Sequence, residues 1–127
     1  MARATLACHK KEAREEGYVV AYTDEAAFSY RPFVGRTWAP KGQPAVLSHG
    51  PIRGGVQAVS LLTDTGKVFF EVKPGTFKAP DMAHFFESVI KRYRRYGLII
   101  ILDRAQTHCS KEIKALKAKY GERLIFE

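Results

Sequence analysis

Two stretches of the sequence combine strong strand character with a carboxylate directly after them. Leu98–Leu102 is an uninterrupted aliphatic run followed by Asp103, and Tyr18–Thr23 is a β-branched and aromatic run followed by Asp24. Continuous apolar residues are typical of a strand buried on both faces, and ligands collect at the carboxyl ends of such strands in parallel sheets. The pattern therefore predicts a polar site at one edge of a sheet. The alternative is that each Asp only ends its strand and caps the next element.

Further strands are predicted in the first half of the chain. Ala26–Tyr30 alternates well enough to form a hairpin with the first strand, ended by Pro32, which cannot donate to a ladder. Gly54–Leu62 and Lys67–Val72 flank a turn at Asp64–Gly66 and predict a second hairpin. We therefore expect antiparallel β-structure in this half.

Two amphipathic segments in the second half predict helices. The first begins at Pro80 and has an apolar face at helical spacing, made of Met82, Phe85, Phe86, Val89, Ile90 and Tyr93. The second runs from a Ser110 cap to residue 119 or 120. A last strand is predicted at Leu124–Phe126, at the end of the chain.

This order of elements predicts an α/β fold of the α+β type with a mixed sheet. Antiparallel strands come first, and a helix-strand-helix-strand order follows, so that the late strands are expected to be parallel. Residues 1–16 are assigned to a short N-terminal helix or linker, because residues 9–16 are charged helix formers that end at Gly17. Residues 17–127 form one domain, since 127 residues suffice for a single core.

The composition indicates which classes of partner and cofactor to expect. Lys and Arg outnumber Asp and Glu by 21 to 13, and a formal charge of +8 favours a polyanion as the macromolecular partner. No apolar run could span a bilayer and the first residues do not resemble a signal peptide, so we expect a cytoplasmic protein without a membrane partner. Cys8 and Cys109 form no metal or disulfide motif, and no small-molecule cofactor is expected.

A loop rich in Gly, Pro and basic residues surrounds the single tryptophan. Gly35–Pro44 contains Arg36, Trp38 and Lys41, and long loops in compact domains are usually functional or disordered. Such a tryptophan with flanking cations can stack on a base or hold a phosphate. The alternative is that Trp38 pins the loop to the body of the domain.

Three segments, in this order and spacing, resemble the catalytic domain of DDE transposases of the mariner-related bacterial insertion-sequence group. They are Thr23–Phe28, Gly35–Gln43 and Ile99–His108, and the resemblance extends from about Gly17 to the end of the chain. The resemblance implies a ribonuclease H-like fold, which agrees with the predicted order of elements. It also implies DNA as the partner and metal-dependent strand nicking and transfer as the activity.

The resemblance assigns roles to individual residues. Asp24 and Asp103 correspond to the first two catalytic carboxylates of the family, which bind two Mg²⁺ or Mn²⁺ ions, and hard divalent cations prefer such oxygen ligands. His108 corresponds to the family's His after the second motif and receives a supporting role together with Glu25. The remaining assignments are contacts to DNA or to a second subunit of a homodimer, made by Arg36, Trp38, Lys41 and Arg104.

Three departures from the family pattern bear on activity. Arg104 stands where the family has Asn, so that a cation either weakens metal binding or contacts DNA. The third carboxylate of the family belongs to a helix after the last strand, and no such helix follows here, nor does an N-terminal helix-turn-helix precede the domain. We therefore expect a catalytic-core fragment that is truncated at the C-terminus and inactive alone. The sequence does not decide whether this fragment binds metal or acts as an enzyme.

The main alternative is a non-catalytic remnant that binds nucleic acid or associates with itself. A phosphoacceptor role for Asp103 in a receiver-like domain is disfavoured by the antiparallel first half of the chain. The missing helix further predicts an exposed apolar patch near the last strand, and hence dimerisation or limited solubility.

Overall fold

A five-stranded mixed sheet forms the centre of the computed structural model, which describes residues 12–31, 35–46, 48, 50, 52–102 and 110–127. The strands are β1 (Tyr18–Ser29), β2 (Gly55–Thr63), β3 (Val68–Pro74), β4 (Gly97–Ile101) and β5 (Leu124–Phe126), in the spatial order β3-β2-β1-β4-β5. The helices are α1 (Ala79–Ile90) and α2 (Lys111–Tyr120), and a 3-10 turn at Gly121–Arg123 leads into β5. The predicted mixed α/β fold is confirmed.

Most predicted elements are present within a residue or two of their expected bounds, but the first hairpin is wrong. Tyr18–Ser29 is one continuous strand, and Ala26–Ser29 pairs with Gly55–Ala58 of β2 instead of folding back on β1. Long-range pairing therefore overrides the local turn expected after Asp24. In the N-terminal segment residues 12–15 are helical, whereas residues 9–11 of the predicted helix lie outside the described part.

The central strand β1 has different neighbours along its two edges. It is antiparallel to β2 from Ala21 to Ser29, but it is parallel to β4 only from Tyr18 to Tyr22, where it pairs with Gly97–Ile101. The outer strand β5 is parallel to β4, as the sequence predicts. The second half of β1 therefore extends beyond the described end of β4.

Both helices pack on one face of the sheet and form the core there. The predicted apolar face of α1 is buried in full, and it packs with Ile113 and Leu116 of α2 against alternate residues of the strands. The Glu87 carboxylate joins the helices, since it accepts hydrogen bonds from Lys119 Nζ at 2.6 Å and Tyr120 Oη at 3.0 Å. These bonds, the one from Lys119 above all, lower the pKa of Glu87 to about 2.

The opposite face of the sheet, called here the helix-free face, is covered by neither α1 nor α2. Because side chains alternate along strands, the register assigns to it the residues that alternate with the core positions. Its most exposed large apolar side chains belong to β1, β2 and β3: Phe28, Leu62, Val68, Phe70 and Val72. An apolar patch is thus present, but it is most exposed on these strands and not near β5, where it was expected. No helix in the described part of the chain is long and apolar enough to cross a bilayer.

Two phenylalanines test this division of the sheet into a buried and an exposed face. Phe86 of α1 is fully buried, whereas 73% of Phe70 is exposed. We expect Phe86→Ala to lower the free energy of unfolding by about 3–5 kcal/mol, because it removes buried area and leaves a cavity. Phe70→Ala should change it by less than about 0.5 kcal/mol. Urea unfolding followed by circular dichroism measures both, and equal losses would contradict this assignment of faces.

Candidate active site

Asp24 lies where β1 extends beyond β4. It follows Tyr22, the last β1 residue in register with β4, by two positions, and it pairs with Ser60 of β2. It is therefore an internal residue of β1, and the prediction that it ends the strand is wrong. By strand alternation its side chain is on the helix-free face, where it is exposed. Its Oδ1 accepts a hydrogen bond from the Glu25 backbone N–H at 2.8 Å.

Glu25 faces the opposite side of the sheet from Asp24. Gln57 Nε2 donates to Glu25 Oε2 at 2.8 Å, and Gln57 Oε1 accepts from the backbone N–H of Phe77 at 2.6 Å. Glu25 thereby helps to fix the segment that leads into α1, and the structure does not bring its carboxylate together with that of Asp24. Sequence reasoning missed Gln57, because only the pairing of β1 with β2 places it beside Glu25.

The other predicted residues of the active site, Asp103, Arg104 and His108, lie outside the described residues. The described part of the chain reaches the edge of this site at Leu102, whose backbone N–H donates to the Glu127 carbonyl at 3.0 Å. The register of β4 with β1 is thus defined up to Ile101.

Asp24 meets the requirements for one metal ligand. Its carboxylate forms no ion pair with the described residues and has only the bond to its own neighbour's backbone, so an oxygen is available to a hard divalent cation. Among the described residues, no three His, Cys, Asp or Glu side chains come together as a metal site. Asp24 therefore fits such a cation as part of a ligand set and not as a complete one.

The tryptophan loop extends into solvent. Arg36, Trp38 and Lys41 are all exposed, and Trp38 is 100% exposed. A turn in which the Gln43 N–H donates to the Pro40 carbonyl at 3.0 Å shapes the loop. Trp38 therefore does not pin the loop to the body of the domain, and the alternative reading of this residue is wrong. An exposed Trp between two cations is typical of a contact surface for another molecule.

The sequence matches a family model over nearly all of this fold. The model describes the DDE superfamily endonuclease, and it matches residues 19–127. The chain belongs to this family. No curated protein sequence matches the chain.

Solved structures similar to this DDE superfamily endonuclease domain show the same ribonuclease H-like fold. The Mos1 mariner paired end complex with Mn gives a TM-score of 0.59 at 18% identity, over 97% of this chain and 39% of that one. The catalytic domain of Mos1 mariner transposase gives 0.53 at 13% identity, over 97% and 55%. A simian T-cell lymphotropic virus intasome in complex with PP2A regulatory subunit B56 gamma gives 0.56 at 12% identity, over 85% and 30%. The chain therefore spans less than two thirds of the length of each of these proteins.

Two aspartates of this domain differ in what they contribute to stability. Asp24 is exposed, whereas the Asp64 side chain is only 3% exposed and accepts from Arg14 Nε at 2.8 Å. We expect Asp24→Asn to change the free energy of unfolding by less than about 0.5 kcal/mol. Asp64→Asn should lower it by about 1–3 kcal/mol, because it weakens a charge-assisted hydrogen bond to a buried group. Thermal unfolding of the two variants measures the difference, and a large loss for Asp24→Asn would indicate a structural role.

Proposed function

We propose that this domain is the catalytic core of a transposase, in which Asp24 and Asp103 are the first two metal-binding carboxylates. Membership of the DDE superfamily endonuclease family and the fold shared with Mos1 transposase support this proposal. The similar structures include Mos1 paired end complexes with Mn and with Mg, which makes either ion a reasonable ligand for the domain proposed here.

The parallel register of β1 and β4 is the main observation that supports the proposal. Tyr22 pairs with Ile101, and Asp24 and Asp103 each follow their member of this pair by two residues. A register continued over those two residues would place the aspartates on neighbouring strands, about 4.8 Å apart. Both side chains would then be on the helix-free face, because alternation gives them the orientation of Tyr22 and Ile101.

At this site some residues of the chain would bind metal and others would position DNA. Asp24 and Asp103 would hold the ions, with His108 in a supporting role, whereas Glu25, on the opposite face, would hold the backbone through Gln57. When bound, two such ions stabilise the attacking and the leaving oxygen in phosphoryl transfer. Four residues would contact DNA or a second subunit: Arg36, Trp38, Lys41 and Arg104. Because these 127 residues supply two of the family's three carboxylates, we propose that they bind metal without cleaving DNA.

Divalent metal binding tests the proposal directly. We expect the 127-residue chain to bind Mn²⁺ at up to millimolar concentration, measured by electron paramagnetic resonance of the free ion. The double variant Asp24→Asn, Asp103→Asn should bind it about tenfold more weakly or worse, because both carboxylate ligands are lost. Glu71→Gln is the matched control, since it removes one exposed strand carboxylate from the opposite face of the sheet. Loss of binding in the control, or no binding by the unaltered chain, would contradict the proposal.

A second candidate function is self-association without catalysis. The helix-free face favours it, because exposed apolar side chains of β2 and β3 form a contiguous surface that a second copy of the domain could cover. This candidate shares the fold with the first and differs from it in not requiring metal at Asp24.

Charge substitutions on the two faces of the sheet test self-association. We expect the mass of the chain in light scattering to rise with concentration, and Phe70→Lys to reduce this rise because a cation on the helix-free face opposes apolar contact. Ala118→Lys adds the same charge on the exposed side of α2 and should have little effect. A strictly monomeric chain at all concentrations would exclude this candidate.

A further inference from the structure

A cationic surface lies at the end of the domain away from Asp24. The segment after α1, Lys91–Tyr96, has the sequence Lys-Arg-Tyr-Arg-Arg-Tyr and is called here the arginine loop. It immediately precedes Gly97, which pairs with Tyr18 at the beginning of β1. The rise of about 3.3 Å per strand residue separates Tyr18 from Asp24 by about 20 Å. The arginine loop is therefore distinct from the proposed metal site.

The arginine loop is fixed to the body of the domain by its own residues. Tyr93 is buried, and its ring makes an edge contact with Phe69 at a centroid distance of 6.1 Å. The Arg123 guanidinium donates to the carbonyls of Tyr93 at 2.9 Å and Arg94 at 3.3 Å. The backbone that carries the exposed arginines is thus held in place before any ligand arrives.

The arginines of this loop lack carboxylate partners among the described residues. Arg92, Arg94 and Arg95 are exposed and form no ion pair within 4.0 Å with a described residue. Four surface cations of the described chain are paired with carboxylates, namely Arg14, Lys73, Lys91 and Lys119, whereas exposed lysines of α2 such as Lys114 and Lys117 are, like the arginines, not paired. Arg92 instead lies over the Phe69 ring, 5.6 Å from its centroid.

The dipole of α1 explains only part of this charge. Cations at a helix C-terminus are stabilising, but the effect falls off within the last turn. Because α1 ends at Ile90, Arg94 and Arg95 lie beyond that range. Two fixed, exposed and unpaired arginines are a favourable arrangement for phosphate groups, since the guanidinium forms bidentate, charge-assisted hydrogen bonds with them.

We propose that the arginine loop binds the phosphate backbone of a DNA segment separate from the one at the metal site. The choice of DNA as the polyanion rests on the proposed function. The contact would be independent of base sequence, because arginine-phosphate contacts position a duplex without reading it. Arg94 and Arg95 would make the main contacts, and Lys67, whose ammonium lies over the Tyr93 ring, would border the surface.

Fluorescence anisotropy with a labelled duplex of arbitrary sequence, in EDTA, tests this proposal. We expect the double variant Arg94→Ala, Arg95→Ala to bind about tenfold more weakly, and its log-log salt slope between about 50 and 200 mM to fall by about 2. Arg94→Lys, Arg95→Lys should retain part of the affinity, because the charge remains but the bidentate geometry is lost. Melting curves of both variants verify the fold.

The matched control is Lys114→Ala, Lys117→Ala on α2. It removes the same charge from exposed lysines that also form no ion pair among the described residues. Equal losses in the two double alanine variants would reduce the effect to net charge and overturn the proposal. Binding to anionic phospholipid vesicles that depends on the arginines, without duplex binding, would overturn it in favour of a membrane surface.

The outcomes separate this proposal from the transposase assignment. In EDTA, the Arg94→Ala, Arg95→Ala substitutions should weaken duplex binding by the same factor in the Asp24→Asn, Asp103→Asn background as in the unaltered chain, because the arginine loop does not use metal. Absence of arginine-dependent duplex binding with intact Mn²⁺ binding would overturn only the DNA-binding role of the loop. If the unaltered chain did not bind Mn²⁺ but showed arginine-dependent duplex binding, only the proposal of the metal site would be overturned.

Discussion

The parallel pairing of β1 with β4 organises the whole sheet. It joins two strands that are separated in sequence by β2, β3 and α1, and it aligns Tyr22 with Ile101. Gly97 permits the close approach at its start, because a Cβ at this position would overlap the Tyr18 ring. The Tyr18 hydroxyl also donates to the Glu122 carbonyl at 2.8 Å, which connects this pairing to the turn before β5.

Because side chains alternate along the strands, neighbouring residues of the paired strands face opposite sides of the sheet. The face under α1 and α2 buries the core, and its polar residues serve structure, as when Glu25 and Gln57 hold the backbone of Phe77. The helix-free face has exposed apolar side chains around the strand positions that carry Asp24. Adjacent residues Asp24 and Glu25 therefore differ in role for a geometric reason, although both are carboxylates.

The two ends of the strands differ in the charge of their exposed side chains. The edge at which β1 extends beyond β4 has the exposed carboxylate of Asp24, and the opposite end has the unpaired arginines that follow α1. A net charge of +8 alone does not reveal this separation. The ion pairs contribute to the separation, because Asp81 and Glu87 neutralise Lys73, Lys91 and Lys119, whereas no described carboxylate pairs with Arg94 or Arg95.

Elements whose signals are local follow from the amino-acid sequence alone. The apolar period of α1, the Ser110 cap of α2 and the turn between β2 and β3 depend on residues a few positions apart, and each lies where the pattern predicts it. The family resemblance also placed Asp24 among the candidate residues.

Features that depend on residues distant in the chain follow only from the packing of the folded domain. Local alternation predicted a hairpin after Asp24, but the ladder with β2 offers hydrogen bonds along the whole of β1, and the strand continues to Ser29. The pattern of apolar and polar residues also did not predict the hydrogen bond between Glu25 and Gln57 or the exposure of Trp38. Side-chain periodicity specifies which faces of an element are apolar, whereas register and partner choice arise only when those faces pack together.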